Sequence, residues 1–492
     1  MAAPHTTLPL PLLLVLVGAL LAAAPLPSAA GTDAFDVRRH LSTVTRYDVA
    51  RGSSNAISSP SISDGCHIIH LNLVARHGTR APTKKRIKEL DRLALRLEAL
   101  MNEAKQSLDS DSLKKIPSWI KGWESRWKGR TKGGELIREG EEELYNLGIR
   151  VKEKFQDLFD EEYHPDVYSI RATQVSADIA FPMHFPCAFL HLYILQLSTF
   201  ILFSHKVPRA SASAVAFGLG LLSEKGKLGP GKNRAFSVLS ESRASDICLR
   251  FFDSCETYKA YRKRKEPEVD KQKEPILEHV TASLVSRYHL NFTTQDVSSL
   301  WFLCKQEASL LNITNQACGM FNEAEVYFLE WTDDLEGFVL KGYGESINYR
   351  MGLPLLKDVV QSIEEAIVAK EENHPDGTYE KARLRFAHAE TVVPFSCLLG
   401  LFLEGSGCLI RHLSSVGLCM QGCGNKDFCP FEEFKEKIVK PHLKHDYNMI
   451  CKIKPPVAKG EPASFSSMVS KFFVGLFSGY RVVSAEDIQS EL

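Results

Sequence analysis

The stretch "HIIHLNLVARHGTRAPTKKR", His67–Arg86, begins as a buried strand and ends as a turn crowded with cations. Its apolar run reads as a strand over His67–Val74 entering a core, and it gives way to Arg76, His77, Gly78 and Arg80. Beyond Arg86 the period changes, with Leu90, Leu93, Leu97 and Met101 recurring at helical spacing between charges. Strand, turn and amphipathic helix in that order is the α/β pattern. A second helix is expected in "GGELIREGEEELYNLGIRVKEKFQDLF", with Leu144, Leu147, Val151 and Phe155 on one face. The middle of the chain, about 210–369, is helix-rich. Strand character returns in "ARLRFAHAET", followed by the helix-like "VVPFSCLLGLFLEG". The expected fold class is therefore an α/β sheet domain built from both ends of the chain, with a mostly helical domain inserted between them.

Lys plus Arg and Asp plus Glu number 60 each, so no global charge favours nucleic acid or a membrane surface as partner. Any electrostatic function must be local. Residues 1–30, with the apolar "LPLPLLLVLVGALLAAA" and the small residues of "PLPSAAG", read as a cleaved secretory signal; an uncleaved anchor is the alternative. Twelve cysteines suit that compartment, with Cys304–Cys318 and Cys423–Cys429 as candidate local bridges. A zinc site from Cys419, Cys423 and Cys429 is the competing use. Asn291-Phe-Thr and Asn312-Ile-Thr are sequons for glycosylation on the same route. The tail after Pro455 is mixed in composition and reads as peripheral, and its final "SEL" only faintly resembles a retrieval signal for the endoplasmic reticulum. Secretion, a vacuole or the reticulum lumen all stay open.

In open α/β sheets, ligands sit beyond the carboxyl ends of strands. Arg76, His77 and Arg80 fall at such a position. Two guanidiniums offer forked donors that match phosphoryl oxygens and neutralise an anion under attack. The same field lowers the pKa of His77 and keeps its lone pair free. An imidazole so placed can accept a phosphoryl group covalently and pass it to water. Gly78 allows a close backbone approach that a Cβ would block. An Arg-His-Gly turn alone is equally consistent with an inert surface. Seven ordered residues after a buried strand are more specific.

"RHGTRAP", Arg76–Pro82, resembles the R-H-G-x-R-x-P signature of the histidine acid phosphatases. Downstream, "FAHAET" carries His388, Ala389 and Glu390, where that family usually has His-Asp. The His-Ala-Glu form resembles the multiple inositol polyphosphate phosphatases, a branch that includes plant phytases. "LWFLCKQEASLLNIT" and "LEGFVLKGYGESIN" resemble the same branch. The resemblance implies one phosphatase domain over 31–491, with its α/β core at about 60–174 and 375–455 and its helical part at about 210–369. It implies His77 as nucleophile, Arg76, Arg80 and His388 on the phosphate, and Glu390 as proton donor to the leaving alkoxide. A donor must carry a proton, so acid pH is favoured unless burial raises the Glu390 pKa. Lys84 and Lys85, with Thr83 beside them, open a helix where cations oppose the macrodipole and want an anionic partner; inositol polyphosphates supply one. The substrate is a small polyanion, and neither metal nor organic cofactor is implied.

One segment departs from the pattern. "VSADIAFPMHFPCAFLHLYILQLSTFILFSHK", 175–206, is largely apolar, with only Asp178 and Lys206 charged. As a membrane span it is short, since its best window, Cys187–Phe203, holds 17 residues and includes His191 and Gln196. In the family, six positions separate an arginine from a second one that binds the scissile phosphate. Here Arg171 and Arg209 stand 38 apart, and removing the 32-residue segment restores six. A translated intron or gene-model error is the preferred explanation, ahead of a membrane span or a core helix. Arg209 is then the third phosphate arginine. It serves the site only if its helix still docks. Two alternatives to an inositol polyphosphate hydrolase remain: a broad acid phosphatase, or a non-catalytic, membrane-attached inositol phosphate binder created by the insertion.

Overall fold

A computed structural model describes residues 35–51, 67–173, 209–401 and 429–452. The signal segment 1–30, the segment 175–206, Cys187, Cys419, Cys423 and the tail after Pro455 lie outside the described residues. Three parallel strands form a sheet in the order β1-β3-β2: β1 is Leu71–Arg76, β2 is Tyr168–Ala172 and β3 is Ala382–Ala387. Leu71 and Tyr168 both align with Ala382, and Arg76 aligns with Ala387, so the carboxyl ends of all three strands lie level.

Every residue of β3 is buried, as expected of a central parallel strand covered on both faces. Leu384 and Phe386 pack with Ile170, Ala172 and Phe217 on one side. Arg383 and Arg385 turn to the other, where Asp358 accepts from both at 2.8 Å and Asn72 accepts from Arg385 at 2.8 Å. Arg171 joins this network at 3.5 Å from Asp358. Two buried arginines are tolerable here because their donors are met by a carboxylate and an amide.

The longer helices, in chain order, are α1 (Lys84–Ser107), α2 (Arg138–Lys154), α3 (Arg209–Leu221), α4 (Glu256–Tyr288), α5 (Thr294–Leu310), α6 (Glu323–Leu340), α7 (Leu353–Glu371) and α8 (Ala389–Leu398). The stripe Leu90, Leu93 and Leu97 of α1 packs with Val297, Leu300 and Trp301 of α5. Both α5 and α6 start with reciprocal capping boxes, at Thr293/Asp296 and Asn322/Glu325. α2 and α3 meet backbone to backbone. A Cβ on Gly148 would lie 2.2 Å from Phe217 O, and one on Gly220 would lie 2.1 Å from Tyr145 O.

The charge run "YKAYRKRKEPE" from Tyr258, taken by itself, reads as a solvated loop, but it is part of α4, 33 residues long with Pro267 and Pro275 inside it. Prolines and a charge run mimic a loop. The helix stands because Tyr258, Tyr261, Val269, Val280 and Leu284 bury at intervals along it, and tertiary packing outweighs weak propensity. Disulfides join Cys304 to Cys318, as the spacing suggested, and Cys255 to Cys451, 196 residues away.

Candidate active site

Each strand delivers one side chain to the same point. His77 follows β1, Thr173 follows β2 and His388 follows β3 as the residue preceding α8. Ladder bonds continue past the strands, from His77 N to Ala387 O at 2.9 Å and from Thr173 N to Phe386 O at 3.1 Å. The two imidazoles therefore face one another, 5.6 Å apart between centroids and 68° between planes.

His77 is 8% exposed, and its Nδ1 lies 2.9 Å from Gly78 O. A carbonyl can only accept, so Nδ1 carries the proton and Nε2 keeps its lone pair. Burial lowers the His77 pKa well below the ordinary histidine value, and Arg76, Arg209, His388 and Arg80 lower it further. A neutral nucleophile is thus retained in acid. His388 is neutral for the same reasons: burial first, then Arg209 and Arg250, against an opposing pull from Glu390. Arg250 Nη1 donates to His388 Nε2 at 2.9 Å, with Thr173 Oγ1 3.0 Å from the same atom. A guanidinium can only donate, so the His388 proton resides on Nδ1. Asp253 accepts from Arg250 Nε at 2.6 Å and holds it in place.

The motif loop is fixed by close backbone contacts. Thr79 N donates to Glu143 at 2.9 Å, and Gly78 N donates to Ser213 Oγ at 3.0 Å. Ser213 in turn donates to Arg209 O at 2.7 Å. Gly140 on α2 sits so near that a Cβ there would be 2.1 Å from Thr79 O. These contacts tie α3, and with it Arg209, to the loop that bears His77. Arg209 is buried at the start of α3, and its charge acts on both histidines. Gly134, at φ +84°, leaves room for Arg209 Nη1, Arg80 Nη1 and the Thr83 methyl at 3.7–4.0 Å from the place of its missing Cβ. Arg76, Arg80 and Arg209 thus converge around His77. Arg171, the other arginine of the spaced pair, belongs to the Asp358 network.

Glu390 is buried in the first turn of α8, and its Oε1 lies 2.9 Å from Lys341 Nζ. Burial alone would raise its pKa, but the charge and hydrogen bond of Lys341 outweigh it and bring the carboxyl to about 2. The free site therefore holds a carboxylate. Protonated Glu390, expected of a donor that burial would keep neutral, is not the resting form, because an ammonium supplies the partner that burial removes. Lys84 and Lys85 are exposed in the first turn of α1, and Thr83 precedes it, partly buried. Asn291 and Asn312 are exposed.

Arg250, Thr173, Lys341, Glu143 and Ser213 were not signalled by any motif. Lys341 stands in "LEGFVLKGYGESIN" without a pattern of its own, and the others reach the site only through tertiary contacts.

The chain belongs to the histidine phosphatase superfamily (branch 2), whose model matches residues 67–176 and 181–413. It is a phosphatase. Among its relatives, multiple inositol polyphosphate phosphatase 1 of Homo sapiens is 23% identical over 432 residues, covering 81% of this chain and 80% of that protein. The protein of the same name in Gallus gallus is 26% identical over 352 residues, covering 69% and 65%. The crystal structure of the phytase from D. castellii superposes with a TM-score of 0.58 at 16% identity, covering 90% of this chain and 93% of that one. That likeness establishes the common fold.

Proposed function

We propose that the protein hydrolyses inositol polyphosphates, phytate included, through a phosphohistidine on His77. The observation that carries this is a buried, neutral His77 with Nε2 free, ringed by Arg76, Arg80 and Arg209 and faced by His388. Nε2 attacks phosphorus while the guanidiniums take the equatorial oxygens and His388 Nδ1–H donates another hydrogen bond. The P–O ester bond breaks, and Glu390 supplies the proton that lets the inositol oxygen leave as an alcohol. Water then attacks the phosphohistidine and gives its proton to Glu390, and His77 leaves neutral. Guanidiniums provide the charge stabilisation, so this scheme calls on no metal or cofactor.

The names of the human and chicken relatives support inositol polyphosphates as the substrate class. Exposed Lys84 and Lys85 beside the motif offer partners to phosphates that are not being cleaved. Passage through the secretory route, with release or lumenal retention and glycosylation at Asn291 and Asn312, is supported by the Cys255–Cys451 and Cys304–Cys318 disulfides and the exposure of both sequons. No helix among the described residues is long and apolar enough to cross a membrane.

The test is phosphate release from phytate by the purified chain and by His77→Ala, with acid-quench trapping of a phosphoenzyme. Release and an acid-labile phosphoenzyme are expected in the parent only. Substantial turnover by His77→Ala would overturn nucleophilic catalysis by this residue. Turnover of small monoesters with phytate left intact would instead mark a broad acid phosphatase.

A further inference from the structure

We propose that Lys341 couples recognition of a polyphosphate to proton delivery: a phosphate beside the scissile one draws the Lys341 ammonium away from Glu390, and Glu390 then takes up the proton it donates. This rests on the function proposed above.

The geometry poses the problem that Lys341 solves. Glu390 is the acidic side chain beside the paired histidines, yet it is held at 2.9 Å by an ammonium, with side-chain exposures of 11% for Glu390 and 14% for Lys341. A carboxylate so paired is a poor donor. The groups acting on it come from every neighbouring element. Arg76 lies at the end of β1, Tyr258 and Arg262 on α4, Lys341 just past α6, and His388 at the head of α8. Of these, Arg76, Arg262 and Lys341 are cations, and Lys341 contributes the largest opposing effect to burial. Removing that one cation from contact removes the chief reason for ionisation.

Lys341 is also the partner best able to move. It caps the C-terminus of α6 and is followed by Gly342-Tyr343-Gly344. Its head is a point charge on a flexible four-carbon stem. Arg262 is engaged by Glu266 at 2.7 Å, and Arg76 donates to Thr43 O. A phosphate group offers three acceptor oxygens and up to two charges, so it competes well for an ammonium held by one carboxylate oxygen. Once Lys341 turns to it, Glu390 stays buried but has lost its ammonium partner and gained a nearby anion, and its proton affinity rises. The proton comes from solvent. As the His77 Nε2–P bond forms and the ester P–O bond breaks, this proton passes to the departing oxygen. Attack by water on the phosphohistidine returns a proton to Glu390, and loss of that proton to solvent as phosphate departs restores the pair with Lys341.

A monoester with no second phosphate cannot draw Lys341 away. Preference for polyphosphates should therefore show in turnover as well as in binding. The test compares phytate, glycerol 2-phosphate and p-nitrophenyl phosphate in the parent chain, Lys341→Gln and Lys341→Arg. Lys341→Gln keeps a hydrogen bond to Glu390 without the charge. It should raise kcat on glycerol 2-phosphate about 10-fold or more, because a freed general acid is worth ~10²–10⁴. It should also extend that activity to higher pH. On p-nitrophenyl phosphate, whose leaving group needs little protonation, kcat should barely change, and the phytate preference should shrink. Lys341→Arg, still cationic, should keep the parent's low turnover of glycerol 2-phosphate. In a Glu390→Gln background, Lys341→Gln should add nothing on glycerol 2-phosphate, which separates this effect from damage to the fold. Equal losses on all three substrates, or an unmoved pH profile, would overturn the coupling while leaving the proposed function standing. A parent chain that releases no phosphate from phytate would instead defeat the function itself.

Discussion

His77→Asn should change the acid stability of the free protein in a calculable way. His77 is buried and neutral, and burial and four neighbouring cationic or imidazole groups hold its pKa well below the ordinary value. Its folded pKa therefore lies below its unfolded one, near 6.5, so below that pH the unfolded chain binds the extra proton. Stability from this group is fully present above about pH 6.5 and falls as pH drops, at up to ~1.4 kcal/mol per unit. Between pH 7 and pH 5 the loss from one histidine that stays uncharged when folded is RT ln[(1 + 10^1.5)/(1 + 10^-0.5)], about 2 kcal/mol. Asparagine cannot titrate, and its amide can replace the Nδ1 donor to Gly78 O. Urea unfolding at pH 7, 6 and 5 in phosphate-free buffer measures both chains, and all other groups cancel in the difference. His77→Asn should become about 2 kcal/mol more stable relative to the parent at pH 5 than at pH 7. Parallel profiles would mean that His77 is protonated in the folded state at pH 5, and the neutral-nucleophile scheme would fail with them.

Arg209→Ala should cut kcat/KM on phytate and on p-nitrophenyl phosphate alike, by ~10²–10³, because one donor to the reacting phosphoryl group is lost; an effect under threefold in steady-state kinetics would remove Arg209 from the site. Glu390→Gln should slow phytate turnover far more than p-nitrophenyl phosphate turnover, since the activated leaving group departs without a proton; equal losses in paired assays would give Glu390 another role. Lys84→Ala with Lys85→Ala should raise KM for phytate more than for a simple monoester, and matched increases would point to a contribution to folding instead.

Legibility followed the length scale of each interaction. The β1-turn-α1 unit was readable because an apolar run gives way to Leu90, Leu93 and Leu97 at helical spacing, and β3 because "ARLRFA" is apolar on one face. That Arg383 and Arg385 lie buried on the other face was not readable, since their partner Asp358 is supplied from α7. His77, Arg76, Arg80, His388 and Glu390 stand in two short motifs, and the parallel register of β1 and β3 sets these motifs side by side. Arg250 and Lys341 contribute single side chains from stretches distant in the chain, and a lone arginine or lysine has no sequence signature. The charge state of Glu390 stays open in the sequence for that reason. Burial can be inferred from a strand end, but the ammonium that overrides it comes from 49 positions earlier in the chain. α4 was misread because local propensity was weighed without the aromatic rows that bury it.

The backbone clamp running from Thr79 through Gly140, and from Gly78 through Ser213 to Arg209, has a consequence for how this family member can vary. The third arginine takes its address from sideways contact of α3 with α2 and the motif loop. Phosphate recognition is thereby made to depend on how closely bare backbones approach one another. Substitutions at Gly140, Gly148 or Gly220, which carry no functional group at all, should push α2 from its neighbours and carry Arg209 out of reach of the phosphate.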